Sequence, residues 1–95
     1  MAVGVLFEFE GMTQENYDAF VEALTGRGSF TSPDDLPAPG LLSHAAGATA
    51  TGWRVFDVWE SEQAFAHFAE KLAPIAQQAG MEIQPEIFQL YNFVR

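Results

Sequence analysis

The chain has no cysteine and few cations: four Lys and Arg stand against thirteen Asp and Glu, for a formal net charge of −9 at pH 7. The first absence excludes disulfides, thiolate nucleophiles and cysteine-ligated metals. It leaves the redox compartment unconstrained. The second argues against nucleic acid as a partner, because phosphate binding needs clustered cations. It also disfavours anionic membrane surfaces. The only two histidines, His44 and His67, are far apart in the chain, so a tight transition-metal site is not expected. Long apolar runs are missing too. Val3–Phe7 is too short for a membrane span and lacks the basic flank of a leader, so the expected location is cytoplasmic. There is no P-loop, dinucleotide fingerprint or phosphate-cradling glycine cluster. No cofactor is expected.

What the chain does have is aromatic bulk. Nine Phe, two Trp and two Tyr sit in 95 residues of which 48% are apolar, so disorder is not expected. The length sets one domain, residues 1–95, with a modest core. So heavy an aromatic load implies an aromatic core or a surface covered by a partner.

The patterning places six elements. Val3–Phe9 alternates as a strand, with Val3, Val5, Phe7 and Phe9 on one face. Thr13 is a plausible N-cap, Tyr17, Phe20, Val21 and Leu24 form a helical stripe, and Gly26 and Gly28 end it. Residues 28–40 read as a loop rich in proline and glycine, either a binding loop or a plain connector. Leu41–Thr49 reads as a weak strand and Trp53–Trp59 as a strong one, with a hairpin turn at Thr51-Gly52. Ser61 caps a second helix carrying Phe65, Phe68, Leu72 and Ile75, which Pro74 should kink or split and Gly80 should end. A last strand is expected over Glu86–Val94. Strand, helix, strand, strand, helix, strand matches an α+β, ferredoxin-like βαββαβ domain with a four-stranded antiparallel sheet. Apolar residues on both faces of Trp53–Trp59 imply two covers for that sheet, and the helices supply one. A homodimer is therefore expected.

One set of polar residues stands out. With Thr51-Gly52 as the loop, Ala50 pairs with Trp53, His44 lies opposite Trp59, and Ala46 lies opposite Asp57. All four side chains then share one face. A one-residue slip would turn His44 to the other face. Ala46, Gly47 and Ala48 leave room above the sheet. A histidine beside a carboxylate at an open apolar space can act as a general base, which makes His44 and Asp57 the candidate catalytic pair. Replacing His44 by Ala is then expected to weaken ligand handling while costing only about 1 kcal/mol or less of stability. The competing reading is a partly exposed strand histidine, with Asp57 satisfied by backbone donors or water. Tyr17, Trp59, Phe65, Phe68 and Tyr91 are candidate ligand contacts for a flat aromatic molecule, although core packing accounts for such residues equally well. His67 lies off the apolar stripe of its helix and reads as solvated.

The run Pro39-Gly40-Leu41-Leu42-Ser43-His44, the run Val58-Trp59-Glu60-Ser61-Glu62-Gln63-Ala64-Phe65 and the element order together resemble the dimeric α+β barrel superfamily, specifically its antibiotic-biosynthesis-monooxygenase-like group. The resemblance implies a homodimer with facing sheets and a ligand pocket between sheet and helices. It implies binding of a small aromatic or polyketide-like molecule, with metal-free oxygenation or cyclisation in which His44 or Asp57 moves a proton. A non-catalytic dimeric binding or structural module is the alternative. The haem-degrading branch of the group carries an Asn, a Trp and a His where this chain has Phe9, Phe68 and Gln78, so haem degradation is not expected.

Overall fold

The computed structural model describes residues 1–94. Among them, four strands and two α-helices follow in the order β1 (Val3–Glu10), α1 (Gln14–Thr25), β2 (Leu41–Ala48), β3 (Gly52–Trp59), α2 (Glu62–Gln78) and β4 (Glu86–Gln89). The sheet order is β2-β3-β1-β4, with every neighbouring pair antiparallel. Each half of the chain crosses over a helix and skips a strand, which is the ferredoxin-like α+β topology expected from the sequence.

Local chemistry sets the helix ends. Thr13 accepts from the Asn16 N–H, and the Asn16 side chain accepts in turn from the Thr13 N–H. Such a reciprocal cap is worth about 1 kcal/mol. Gly26, at φ 77°, ends α1 in the left-handed region that glycine enters without cost. Ser61 caps α2 by accepting from the Ala64 N–H at 3.0 Å. At its far end Met81 N–H bonds to Ala76 O and Gly80 N–H to Gln77 O, a Schellman closure. Pro74 does not split α2. The helix buries Phe65, Phe68, Leu72 and Ala76, while Pro74 and Glu70 are exposed, so the Glu70 carbonyl freed by the missing N–H faces water.

Two further expectations are corrected. The last strand ends at Gln89 rather than Val94. Val3 pairs with Gln89 and Leu90 N–H bonds to Ala2 O, so β1 runs out of residues to pair. The β2–β3 hairpin also turns one residue earlier. Ala48 pairs with Trp53 and Thr49 N–H bonds to Gly52 O, leaving Ala50-Thr51 as the loop. His44 therefore faces Asp57 rather than Trp59, and Ala46 faces Val55. Moving the loop by one residue changes each pair by two, so the face assignment survives. A bulge interrupts this pairing between Leu41 and Ser43.

Both helices cover one face of the sheet. Val3, Val5 and Phe7 of β1, Val55 and Trp59 of β3 and Leu41 of β2 pack there against Phe65, Phe68 and Leu72. The opposite face carries Leu6, Phe56 and Phe88. Gly4 lies beneath them: a Cβ there would meet the Phe88 ring at 2.8 Å, and the Phe56 and Phe88 rings close over it at 6.2 Å. Phe88 is 42% exposed.

Candidate functional site

The site forms where the helix-covered face is least filled. β3 sends Asp57 inward, and Asp57 is the one charged residue buried among the described residues, at 3% exposure. β2 brings His44 directly opposite, and His44 Nδ1 lies 2.6 Å from Asp57 Oδ1. The second turn of α1 brings Tyr17 over the sheet, with its hydroxyl 2.7 Å from His44 Nε2. A carboxylate can only accept, so the Nδ1–H donates to Asp57. The Nε2 lone pair is then left to accept from the Tyr17 O–H. Burial raises the Tyr17 pKa above the ordinary tyrosine value of 10.0, and the negative charges of Asp57 and Asp18 push it the same way. The phenol therefore keeps its proton. Asp57, His44 and Tyr17 form a chain in which each donor has an acceptor.

Aromatic rings hold this chain in place. Tyr17 stacks on Trp53 at 5.2 Å between ring centroids, and Phe30 leans over the His44 ring at 4.5 Å. Beneath them lies a cavity of about 70 Å³. Its walls are apolar (Phe7, Phe9, Phe20, Leu24, Val55 and Phe68 among others), and the only polar side chains at it belong to Tyr17, His44 and Asp57. Among the described residues no Lys or Arg lines it. It is smaller than the ~150 Å³ that holds a benzene molecule in a protein core. The Trp53 and Trp59 indole N–H groups are buried without an acceptor among the described residues, a cost of about 1–3 kcal/mol each.

The structure thus brings together His44, Asp57, Tyr17 and Phe68 of the residues singled out in the sequence. It does not bring in the other three. Trp59 is fully buried and stacks on Phe68 at 4.9 Å, and Phe65 meets its edge at 6.0 Å. Both are core residues behind the cavity. Tyr91, just beyond β4, is fully exposed and lines no part of the cavity. His67 is exposed on α2, off the buried stripe, as its helical phase implies. Phe30 was missed. It is a single aromatic in a polar, proline-rich loop, and a loop has no periodicity to say where its side chain points. Its one signal is that isolation.

No family model matches the sequence, and neither does any curated protein. Solved structures do match. One is SnoaB, a cofactor-independent oxygenase from Streptomyces nogalater, seen as a single-substitution variant. It aligns with a TM-score of 0.61 at 13% identity, covering 98% of this chain and 95% of that one. Another, a candidate monooxygenase from Shewanella loihica PV-4, aligns with a TM-score of 0.58 at 16% identity, covering 97% and 96%. At such identities the likeness is one of fold: this chain shares its ferredoxin-like α+β fold with these two structures.

Proposed function

We propose that the protein binds a small, uncharged aromatic or polyketide-like molecule beside His44 and acts on it as a cofactor-independent oxygenase or cyclase. The observation that carries this reading is the Asp57–His44–Tyr17 chain, 2.6 and 2.7 Å per link, at the wall of an otherwise apolar cavity. In this reading a ligand's acidic hydroxyl or activated C–H displaces the Tyr17 hydroxyl and gives its proton to His44 Nε2. Asp57 fixes the tautomer and balances the imidazolium charge. The electron-rich anion left on the ligand can react with dioxygen or close a ring. The His44 imidazolium can then return the proton to the product. The fold shared with an oxygenase supports the reaction class, and the apolar lining among the described residues supports an uncharged ligand.

The cavity's almost wholly apolar walls also fit a second reading, in which the same site only binds. Calorimetric titration with naphthol, with dioxygen consumption followed in parallel, separates the two. Binding with oxygen uptake, both lost in His44→Ala, supports the enzyme; binding without turnover of any phenol or enol supports the module. Binding unchanged in His44→Ala would sink the site.

The working form in this proposal is a cytoplasmic homodimer, one domain per chain. The apolar face of Leu6, Phe56 and Phe88 supplies the surface, and closed two-fold pairs are the commonest soluble oligomers. Light scattering should give about twice the chain mass for the parent and the chain mass for Phe56→Asp. A stable monomeric parent would refute this part.

A further inference from the structure

The cavity is too small for the ligand proposed for it, and an aromatic side chain already sits at its His44 wall. Phe30 lies against the His44 imidazole at 4.5 Å and 38°, where an aromatic ligand bound beside His44 would stack. We infer that Phe30 is a displaceable plug: it is the tip of a flap, residues 26–32, that occupies the aromatic subsite at His44 until a ring of similar size and no charge replaces it. The inference rests on the binding reading above and gives it a specificity element.

The two ends of the loop between α1 and β2 differ. The C-terminal end is fixed. Leu36 and Ala38 are buried in the core, and Gly40 is wedged so tightly that a Cβ would meet Ala64 at 2.7 Å. The Gly40 carbonyl also accepts from Glu60 N–H at 2.8 Å. The N-terminal end is loose. Gly26, at φ 77°, has open space around it, as does Gly28, and the residues from Gly26 to Ser29 are exposed. Two-sided freedom at a glycine pair is what a hinge needs.

What holds the flap down is polar and shared. The Thr25 hydroxyl has one proton for two near acceptors, Val21 O at 2.8 Å and Arg27 O at 2.7 Å. The Asp35 carboxylate gathers the rest. It accepts from Thr31 N–H at 3.0 Å and Ser32 N–H at 3.2 Å, and it pairs with the Arg27 guanidinium. The Arg27 end of the ion pair is exposed and such pairs add little stability, so the flap is latched rather than locked. The plug is apolar, half-buried and attached to the core only through its ring.

A plug and a wall behave oppositely when the ring is removed. Truncating a wall residue weakens the ligand; truncating a competitor strengthens it. Naphthol is therefore titrated into the parent and into Phe30→Ala, with trypsin cleavage after Arg27 followed by mass spectrometry. Binding roughly tenfold tighter in Phe30→Ala is the expected result. Naphthol should also speed cleavage after Arg27 in the parent, because the displaced flap swings out. Asp35→Asn, which can still accept the two backbone bonds but loses the ion pair, should speed the same cleavage without ligand at an unchanged melting temperature. Equal or weaker binding in Phe30→Ala overturns the plug and leaves the pocket reading standing. Slower cleavage with naphthol overturns it too, as does an unaltered rate in Asp35→Asn. Binding to neither protein sinks the pocket reading, and the plug with it.

Discussion

Strand β3 crosses two regions that use the same residue types to opposite ends. At its C-terminus Trp59 is fully buried between Phe65 and Phe68 and leaves no space. At its middle, two residues earlier on the same face, Asp57 meets His44 and Tyr17 beside a cavity. Aromatic stacking fills one region and frames a hollow in the other. The difference lies in what the neighbouring strand offers. Trp59 has Leu41 across from it, whereas Val55 and Trp53 have only Ala46 and Ala48. Small residues on the edge strand leave volume above the sheet, and polar groups collect where that volume admits them. Aromatic content therefore says little about function here, while the size of the cross-strand partner says much.

The sharpest way to break this comparison is Trp59→Ala. If the closed region is core, the change should cost about 3–5 kcal/mol of unfolding free energy in a urea titration. A loss no larger than that of Tyr17→Phe would mean the two regions do not differ. His44→Ala comes next. It strands the buried Asp57 carboxylate without its donor, so about 1–3 kcal/mol is expected. This is more than the sequence suggested, because the sequence did not show both ring nitrogens engaged. The matched change at His67, which is exposed on α2, should stay within about 0.5 kcal/mol. Tyr17→Phe removes one hydrogen bond but keeps the ring on Trp53, and about 1 kcal/mol is expected by the same denaturation assay.

The smallest effect is a titration. With Tyr91→Phe leaving Tyr17 as the only tyrosine, phenolate absorbance should rise at a pH above the ordinary tyrosine value of 10.0. The folded pKa is raised above the unfolded one. Its contribution to stability is thus fully present below the unfolded value and is lost as pH rises through the folded one. Ionisation at or below the ordinary value would detach Tyr17 from the chain of bonds. Asp35 has the opposite sign. The Thr31 N–H above all, then the Ser32 N–H and Arg27, hold its pKa below the ordinary carboxylate range. Its latch should persist as pH falls through that range and release only beneath it, read as faster cleavage after Arg27 by an acid-stable protease.

Most of the fold was legible because it follows from repeating chemistry. The alternation of Val3, Val5 and Phe7, the caps at Thr13 and Ser61 and the glycine closures each carry a local signal. The pairing of His44 with Asp57 was half legible. Their shared face could be read from parity, but the offset of two could not, because Ala50, Thr51 and Gly52 are all tolerable turn residues. The positions of Trp59, Phe65 and Tyr91, away from the cavity, were not legible for two reasons. Burial and pocket lining demand the same residue types, and a strand's length depends on its neighbour's. Phe30 was out of reach, since no period governs residues 28–40.

The bulge between Leu41 and Ser43 decides more than the shape of an edge strand. Leu41 and His44 are three positions apart, an odd offset that strict alternation would put on opposite sides of the sheet. Yet Leu41 faces Trp59 and His44 faces Asp57, both under the helices. One surplus residue resets the count. Deleting Leu42 should therefore leave Leu41 and His44 two positions apart, on one face of a strand that alternates without a bulge. Keeping Leu42 but losing the bulge is the change that would break the site: burying leucine outweighs exposing histidine, so such a chain would keep its architecture and turn its imidazole to the outside. Substitution tables would miss this. The candidate site thus depends on arithmetic in β2 as well as on which side chains are encoded.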